Sequence, residues 1–531
     1  MDYDIVIKGG ILVDGTGNPW IRADVGVRNG KIVKVGRIEG KADVLIRAEG
    51  MLVAPGFIDI HSHDDLIFFR DVYNKPKLLQ GVTTVVMGNC GLSPAPLSRE
   101  TVDDLKAYLS ILCEDVELNW RSYGDFLSKL EEIQPLGTNV LGLVGHGTVR
   151  IAVMGMDARD PSEEELEEMK ELISLSMKEG AYGMSTGLIY PPGAYAKTEE
   201  IIELAKVVAK FGGIYSSHIR NEGRQLIEAV SEAIRIGEES GVPVEISHHK
   251  AAGKKNWGKT EETLRMIEEA RQRGIEVTAD AYPYSAGSTY LAALLPPWAH
   301  EGGVEKLIER MKSREEREKI RKAMEEGEEW ENMVRETGWD RVVLSYSPSF
   351  SEFEGKSLFE ISKQLETDPY DLLFSILEKD GTNSMIIIHS MSEEDVTRVI
   401  SHPYVMIGTD GLDIGVGKPH PRTYGTFPRV IRRFVREKRV LTIEEAIRKM
   451  TSMPAHKLGL KQKGLIREGY DADIVVLSQN ILDQATYSNP RVPPKGIEFV
   501  IVNGVLSVER GKLLERGGRV LWSRWIGLSY A

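Results

Sequence analysis

Residues 56–63 have the sequence Gly-Phe-Ile-Asp-Ile-His-Ser-His, an apolar run that follows a proline and ends in a His-x-His pair. Successive side chains of a strand point to opposite faces, so residues two apart point the same way. His61 and His63 can therefore reach one ion together where the strand ends. The segment predicts a strand that delivers two imidazoles to a metal site.

The composition of the chain limits its class and its partners. The 531 residues are 41% hydrophobic, carry a formal net charge of -13 and contain no concentrated run of Lys and Arg. A chain of this length can bury a large core, and its acidic balance argues against nucleic acid or an anionic membrane surface. We therefore expect a small-molecule substrate, with no nucleic acid and no membrane as a partner. The sequence leaves homo-oligomer formation open.

The N-terminal residues and the cysteines indicate a cytoplasmic protein. Residues 1–7 contain two acids where a signal peptide would carry positive charge, and no run of about 18 apolar residues occurs. Cys90 and Cys113 are the only cysteines, so the sequence implies no disulfide framework.

Alternating strands and helices predict an α/β fold. Between residues 56 and 460, apolar runs alternate with amphipathic segments such as 162–178 and 199–210. This alternation predicts a parallel sheet, and the length suits a TIM-like (β/α)8 barrel. Nine strand candidates compete for eight places, so at least one lies outside the barrel or is not a strand. They are 57–61, 83–87, 140–144, 183–185, 213–217, 242–247, 276–281, 385–389 and 405–409.

The two ends of the chain are predicted to form a second unit. Residues 1–55 and 461–531 contain short apolar runs separated by Asn-Gly and Asp-Gly turns. Strands from both ends are therefore expected to build one small β-sandwich domain. Residues 56–460 would form the catalytic barrel, and the charged segment at about 299–341 a helical insertion with a solvated face.

Polar side chains recur where the predicted strands end. In a barrel of this type the carboxyl ends of the strands converge on one mouth, so side chains from distant parts of the chain can meet there. Several of these residues are metal ligands by type, since thiolate and imidazole suit zinc. The set is His61, His63, Cys90, His146, His218, His248, His389 and Asp410.

Individual members of this set also have structural explanations. A free cysteine such as Cys90 is usually a small buried hydrophobe, and Asp410 before glycine fits a turn. His218 and His248, however, each follow a serine at the end of consecutive predicted strands, which favours coordination over packing. Beside several histidines Cys90 becomes a thiolate ligand, and opposite metal ligands Asp410 is better explained as a general acid and base.

Longer motifs extend the comparison along the whole chain. The chain resembles the N-acyl-D-amino-acid deacylase (D-aminoacylase) family of the amidohydrolase superfamily. The His-x-His pair and the last segment mark only the superfamily, whereas the segments that begin at residues 185, 246 and 420 are discriminating. The matching segments are 55–64, 88–91, 185–193, 218–222, 246–250, 281–284, 408–411, 420–429 and 464–475.

The resemblance implies zinc-dependent hydrolysis of the amide bond of N-acyl-D-amino acids to a D-amino acid and a carboxylate. It implies that Asp410 is the catalytic residue, taking a proton from water and passing it to the leaving amine. One zinc would be bound tightly by Cys90, His218 and His248. A second, weaker divalent metal would lie near His61, His63, Cys90 and Asp410.

Further positions are candidates for substrate binding. Tyr190, Lys250 and Arg422 resemble the clamp that holds the α-carboxylate of the substrate, to which fixed cations and a hydroxyl are suited. Tyr282 and His146 are additional candidate contacts. The segment 282–298 contains no basic residue, which indicates a preference for neutral or apolar D side chains over D-glutamate and D-aspartate.

Three other functions remain open at this stage. A dipeptidase acting on peptides with a C-terminal D-residue needs a carboxylate for the free amino group, which Asp64, Asp65 or Glu222 could supply. A cyclic-amide hydrolase is disfavoured, because many such relatives use a carboxylated lysine after the fourth strand and residues 183–190 contain no lysine. A non-catalytic scaffold is disfavoured because every ligand position from His61 to Asp410 is present.

Overall fold

The computed structural model describes residues 2–113 and 116–523, whose strands form four sheets. Short strands dominate both ends of the chain, whereas strands alternate with helices between them. The strands in chain order are β1 (Tyr3–Leu12), β2 (Ile21–Arg28), β3 (Lys31–Gly36), β4 (Ala42–Arg47), β5 (Met51–Pro55), β6 (Phe57–Asp59), β7 (Val82–Met87), β8 (Asn139–Gly142), β9 (Val144–Gly145), β10 (Gly183–Gly187), β11 (Ile214–His218), β12 (Val244–Ile246), β13 (Val277–Ala281), β14 (Gly287–Tyr290), β15 (Val342–Tyr346), β16 (Met385–Ile388), β17 (Val405–Ile407), β18 (Ile474–Leu482), β19 (Lys495–Val502), β20 (Val505–Glu509) and β21 (Lys512–Leu513).

Eight of the described α-helices begin after a residue whose side chain accepts a hydrogen bond from the first helical turn. The Ser162 hydroxyl accepts a hydrogen bond from the amide of Glu165, and the Glu165 carboxylate accepts one from the Ser162 amide. The predicted helices at 162–178 and 199–210 are confirmed. The α-helices are α1 (Lys75–Leu78), α2 (Val102–Tyr108), α3 (Ser110–Cys113), α4 (Tyr123–Glu132), α5 (His146–Met154), α6 (Glu163–Lys178), α7 (Thr198–Lys210), α8 (Leu226–Ser240), α9 (Thr260–Gln272), α10 (Gly303–Lys312), α11 (Arg314–Glu326), α12 (Met333–Thr337), α13 (Leu358–Gln364), α14 (Pro369–Asp380), α15 (Glu393–Ser401), α16 (Arg422–Arg429), α17 (Ile443–Met450) and α18 (Ser452–Lys457).

Strands from both chain ends share one sheet of nine strands. Along its main path the order is β21-β20-β19-β18-β5-β1-β2-β3, and β4 pairs with β1. The N-terminal and C-terminal parts join where β5 pairs antiparallel with β18. Val25, Ile46, Val53 and Ile474 lie in the apolar core on this sheet. One antiparallel strand pair thus joins the two ends of the chain in a single sheet.

Two parallel sheets carry the centre of the molecule. One has the order β6-β7-β8, and the other has the order β17-β13-β12-β11-β10-β9. A single residue, Leu143, separates β8 from β9. At the other side, Ser62 and Gly411 form a parallel bridge, and the Asp410 amide donates to the His61 carbonyl at 2.8 Å. The segments that follow β6 and β17 are thus in contact.

A third unit interrupts the alternation between β13 and β17. Strands β14, β15 and β16 form an antiparallel sheet, and its helices surround a separate apolar core that includes Leu307, Met311 and Phe374. The strand candidate 385–389 belongs to this sheet and so lies outside the two parallel sheets, and His389 at its end packs against Tyr487 and is not in the ligand groups. Its isoleucines are buried against the core of this unit instead. Across the described residues, no helix combines the length and apolar character needed to span a membrane.

Candidate metal centre

The predicted metal ligands come together where parallel strands end. His218 is the last residue of β11, and the others lie two to four residues beyond their strands. Cys90, His248 and Asp410 have φ angles of 54°, 34° and 47°, a left-handed backbone that residues other than glycine seldom adopt. Strain of this kind concentrates at functional sites. The residues brought together are His61, His63, Cys90, His218, His248 and Asp410.

Two overlapping groups of donor atoms meet at the thiol of Cys90. Its Sγ lies 3.4 Å from His61 Nε2 and 3.5 Å from His248 Nε2. In one group, the donor atoms of Cys90, His218 and His248 lie within 4.8 Å of one another. The same limit holds for a second group that shares the thiol, namely His61, His63, Cys90 and Asp410.

The first group fits zinc in both composition and bonding. Both ring nitrogens of His218 are buried without a hydrogen-bond partner among the described residues. Leaving a buried polar atom unpaired is costly, so such atoms call for an explanation. One thiolate and two imidazoles are typical zinc donors, and three protein ligands leave a fourth position for water or substrate. A zinc ligand role for His218 accounts for one of its two unpaired nitrogens.

Carboxylates behind the histidines fix the ring orientations. Asp280 Oδ2 lies 3.2 Å from His61 Nδ1, and its Oδ1 accepts a hydrogen bond from the His248 amide at 2.9 Å. Glu222 Oε1 lies 2.9 Å from His248 Nδ1. Such contacts hold the remaining ring nitrogen toward a metal. Sequence reasoning missed Asp280, although an acid inside the apolar strand β13 was a visible signal.

Neighbouring positive charges favour the anionic forms of Cys90 and Asp410. Burial alone raises the pKa of the Cys90 thiol, but the neighbouring His61 and His248 imidazoles hold it well below its usual range. Burial acts in the same direction on Asp410, yet the guanidinium of Arg422 keeps the pKa of that carboxyl well below its usual value. The Arg422 Nη1 atom lies 2.8 Å from Asp410 Oδ2. Thiolate and carboxylate are therefore both available to cations.

Four of the five predicted substrate residues line one cavity beside these ligands. Lys250 Nζ lies 2.5 Å from Glu222 Oε1, and Tyr282 lies beneath both Lys250 and Arg422, at 5.7 and 4.5 Å from its ring centre. The Tyr190 hydroxyl lies 2.8 Å from Thr289 Oγ1. The cavity has about 1180 Å³ of empty space, part of it open to solvent. Its apolar lining includes Leu112, Met333, Met385, Ile388, Leu412 and Ile414.

His146 has a different environment from the other predicted site residues. It is fully buried at the start of α5, and its Nε2 lies 2.8 Å from Glu200 Oε1. Arg150 contacts the second oxygen of the same carboxylate at 2.5 Å. This ion group joins α5 to α7, so the predicted contact between His146 and substrate has no geometric support.

Glu331 is a site residue that the sequence did not indicate. It lies just before α12 in the third unit, reaches the same cavity, and accepts a hydrogen bond from the Glu222 amide at 3.0 Å. Burial and the charge of Glu222 raise the pKa of Glu331 to about 7. No pattern near Glu331 distinguishes it from the other acids of this charged segment, and only the tertiary fold brings it to the centre.

The model of the amidohydrolase family matches residues 45–327 and 380–508. The chain belongs to the amidohydrolase family. It is 37% identical to a D-aminoacylase of Alcaligenes xylosoxydans xylosoxydans, an alignment that covers 98% of this chain and 97% of the relative. An N-acyl-D-glutamate deacylase of the same organism is 36% identical, with 98% and 96% of the two chains covered.

A solved structure extends this likeness to three dimensions. The N-acyl-D-glutamate deacylase of Bordetella bronchiseptica, complexed with zinc and a phosphonate inhibitor that mimics the tetrahedral intermediate, has a TM-score of 0.84 to this chain. The two sequences are 34% identical, and the match covers 98% of this chain and 100% of the other. The predicted family and the mixed α/β fold are thereby confirmed.

Proposed function

We propose that the chain is a zinc-dependent hydrolase of N-acyl-D-amino acids, releasing a D-amino acid and a carboxylate. The observation that carries the proposal is the meeting of Cys90, His218 and His248 beside a cavity that also contains Asp410, Lys250 and Arg422. A D-aminoacylase and an N-acyl-D-glutamate deacylase are respectively 37% and 36% identical to the chain over nearly its whole length.

In this proposal one zinc is held by Cys90, His218 and His248, and a weaker second divalent metal by the group that His61, His63 and Asp410 form with the same thiol. Bound zinc supplies a Lewis acid, which acidifies water to a pKa of roughly 7 and polarises a carbonyl. Asp280 and Glu222 support the assignment, since each contacts a ring nitrogen or amide of a ligand histidine.

Asp410 has the protonation state that a general base requires. Because Arg422 keeps its pKa low, Asp410 is ionised at neutral pH and can accept a proton from the water that attacks the amide carbon. Asp410 then passes this proton to the nitrogen as the C–N bond breaks. One proton thus moves from water to the leaving amine, and the carbonyl carbon gains the water oxygen.

Lys250 and Arg422 are placed to hold the α-carboxylate. Both cations pack on the Tyr282 ring, and each already pairs with an acid, Glu222 or Asp410. Guanidinium and ammonium groups bind carboxylates through charge-assisted hydrogen bonds. The hydroxyl of Tyr190, whose ring packs against His218, is the further donor that we assign to the bound substrate.

The cavity supports a preference for neutral or apolar D side chains. Apart from histidines, Lys250 and Arg422 are the basic residues among the described side chains that line it. Both are assigned to the α-carboxylate, which leaves no further cation for a second carboxylate. The relatives alone do not decide the side-chain preference, because the D-aminoacylase and the D-glutamate deacylase are almost equally similar to the chain.

The two parallel sheets are best explained as parts of one eight-stranded barrel. Strands β8 and β9 act as one strand in this proposal, and the Ser62–Gly411 bridge supports closure between β6 and β17. Residues 56–460 would be the catalytic barrel, and 1–55 with 461–531 the β-sandwich domain. Instead of an insertion at about 299–341, we propose one of residues 287–388, because β14 pairs with β16 and both β15 and β16 contribute to its core.

A dipeptidase is the second candidate, favoured by one observation. Glu331 places a carboxylate in the cavity, where it could bind the free amino group of a peptide. Glu222, suggested from the sequence for that role, is instead paired with Lys250 and His248. Asp64 is likewise paired, with Lys77. Comparison of N-acetyl-D-leucine with glycyl-D-leucine separates the two functions, and faster hydrolysis of the dipeptide would favour the second.

The proposal is tested by metal analysis and a substrate panel on the purified protein. We expect zinc in the protein as isolated and in Cys113→Ala, and its loss in Cys90→Ala. N-acetyl derivatives of D-leucine, D-methionine and D-phenylalanine should be hydrolysed faster than N-acetyl-D-glutamate. N-acetyl-L-leucine should be hydrolysed most slowly. A D-glutamate optimum would contradict the side-chain preference alone. Absence of hydrolysis across the panel by the zinc-loaded protein would contradict the function.

A further inference from the structure

A second apolar cavity lies directly beside the catalytic cavity. It contains about 630 Å³ of empty space, part of it open to solvent, and its wall includes Met156, Ala292, Ala293, Val304 and Leu307. We call it the rear chamber. Tyr190 and Tyr290 line both the rear chamber and the catalytic cavity. A partition one side chain thick therefore separates the two spaces.

The rear chamber adjoins the proposed zinc ligands. The Tyr190 ring packs against the His218 ring with centroids 5.0 Å apart, and against Tyr290 at 5.9 Å. Tyr108, another wall residue, donates its hydroxyl proton to the carbonyl of Gly91 at 3.3 Å, one residue after Cys90. Two wall residues thus contact the ligands or their neighbours, and both contacts lie on the Cys90 and His218 side of the centre.

The order of groups in the substrate decides which part of it can reach this chamber. The α-carboxylate belongs at Lys250 and Arg422, and the carbonyl carbon that reacts belongs at the ligands Cys90, His218 and His248. The acyl chain starts at that carbonyl carbon and extends away from the amino acid. Its path from the metal side leads toward the Tyr190 and Tyr290 partition.

We propose that the rear chamber binds the hydrocarbon part of a long N-acyl group, so that the enzyme prefers medium-chain and long-chain acyl substrates over acetyl ones. This inference rests on the proposed deacylase function. The chemistry of the chamber agrees with a hydrocarbon guest. Asp104 is the sole carboxylate among its described wall residues, and burial lowers the pKa of His300 to about 4, which keeps that ring neutral at pH 7.

The size of the expected effect follows from burial of methylene groups. Each buried methylene contributes about 0.8 kcal/mol, or roughly a fourfold change in an equilibrium constant. Rotation of one partition ring lowers the net gain, so a rise in kcat/KM of at least about tenfold is expected between acetyl and hexanoyl substrates. The rise in kcat/KM should end once the acyl group is longer than the rear chamber.

The test compares N-acetyl-, N-hexanoyl- and N-decanoyl-D-leucine with the zinc-loaded protein and two tryptophan variants. Val304→Trp, on α10, fills the chamber. Lys306→Trp, on the same helix but with its side chain 57% exposed, is the matched control. Ala293→Phe fills the chamber from another element, should Val304→Trp not fold. Calorimetry of decanoate binding against acetate gives a readout that does not require hydrolysis.

We expect the rise with chain length in the parent and in Lys306→Trp, and its loss in Val304→Trp and Ala293→Phe with acetyl turnover unchanged. A flat or falling series, or a rise that both filling variants retain, would overturn the proposal. If no acyl substrate is hydrolysed, the deacylase function fails separately. Decanoate binding then tests the chamber by itself. Binding by the parent protein that is lost in Val304→Trp supports the proposal. Equal binding by the parent and Val304→Trp, or no binding by either, refutes it.

Discussion

Lys77 is a buried ammonium group on which the metal-binding segments depend. Its Nζ lies 2.9 Å from Asp59 Oδ2 and 2.7 Å from Asp64 Oδ2, so it pairs with acids on both sides of the His-x-His motif. Asp59 also accepts hydrogen bonds from the amide and hydroxyl of Thr409, at 2.8 and 2.6 Å. The three charged groups thereby connect the segment that carries the two histidines to the segment that carries Asp410.

Replacement of Lys77 by methionine keeps most of the volume and removes the charge. Because Lys77 and Asp59 are fully buried, the substitution leaves two carboxylates without their counterion in a region closed to water. Breaking a buried ion pair in this way costs about 3–5 kcal/mol. That is a large share of the roughly 5–15 kcal/mol that stabilises a typical protein. We also expect weaker metal binding, since Thr409 adjoins Asp410.

The free energy of unfolding, measured by urea denaturation of Lys77→Met, is the assay. Lys75→Met, an exposed position in the same short helix α1, is the control and should change stability by less than about 0.5 kcal/mol. The double variant Lys77→Met with Asp59→Asn should recover part of the loss, because one unpaired charge is removed. A Lys77→Met protein within about 1 kcal/mol of the parent would refute this account of the ion group.

Three further predictions concern single residues. Asp410→Asn should retain zinc and lose about 10³-fold in kcat, as measured by metal content and turnover, and near-normal rates would exclude its role as base. Arg422→Lys should lower kcat/KM by about 10- to 100-fold, mainly through KM for N-acetyl-D-leucine, because the bidentate fork is lost; an unchanged KM would contradict the carboxylate clamp. Burial lowers the pKa of His300 from its usual 6.5 to about 4, so the unfolded chain binds more protons between these pH values and stability falls as pH falls through them. That shift lowers the free energy of unfolding by about 2 kcal/mol at pH 5, or by about 1 kcal/mol after allowance for the partly exposed ring. His300→Gln should reduce the pH dependence of the unfolding free energy by about that 1 kcal/mol.

The sequence indicated the ligand residues for two reasons. Side chains two residues apart in a strand point the same way, and a glycine or a turn marks where a strand ends. His61 and His63 follow from that spacing, and His218 and His248 from repeated strand ends. Asp280 and Glu331 did not emerge, because their roles depend on the approach of distant segments. The segment 385–389, with three consecutive isoleucines, was ambiguous for a related reason: an apolar strand gives no sign of which sheet it joins.

Glu222 and His146 illustrate the same limit at the level of single side chains. Local sequence identified Glu222 as a polar residue near a strand end, but its partners Lys250 and His248 were assigned only by the fold. His146 also lies near a strand end, yet its ring is paired with Glu200 on the neighbouring helix. Position at a strand end therefore predicts proximity to the centre, and the direction of the side chain needs tertiary contacts.

The central claim is that a cysteine thiolate and two imidazoles bind the zinc on which hydrolysis depends. X-ray absorption spectroscopy at the zinc edge of the purified, active protein tests it most directly. The account predicts a sulfur scatterer at about 2.3 Å together with nitrogen scatterers at about 2.0–2.1 Å, and loss of the sulfur contribution in Cys90→Ala. A zinc shell made only of nitrogen and oxygen in an active enzyme would contradict it.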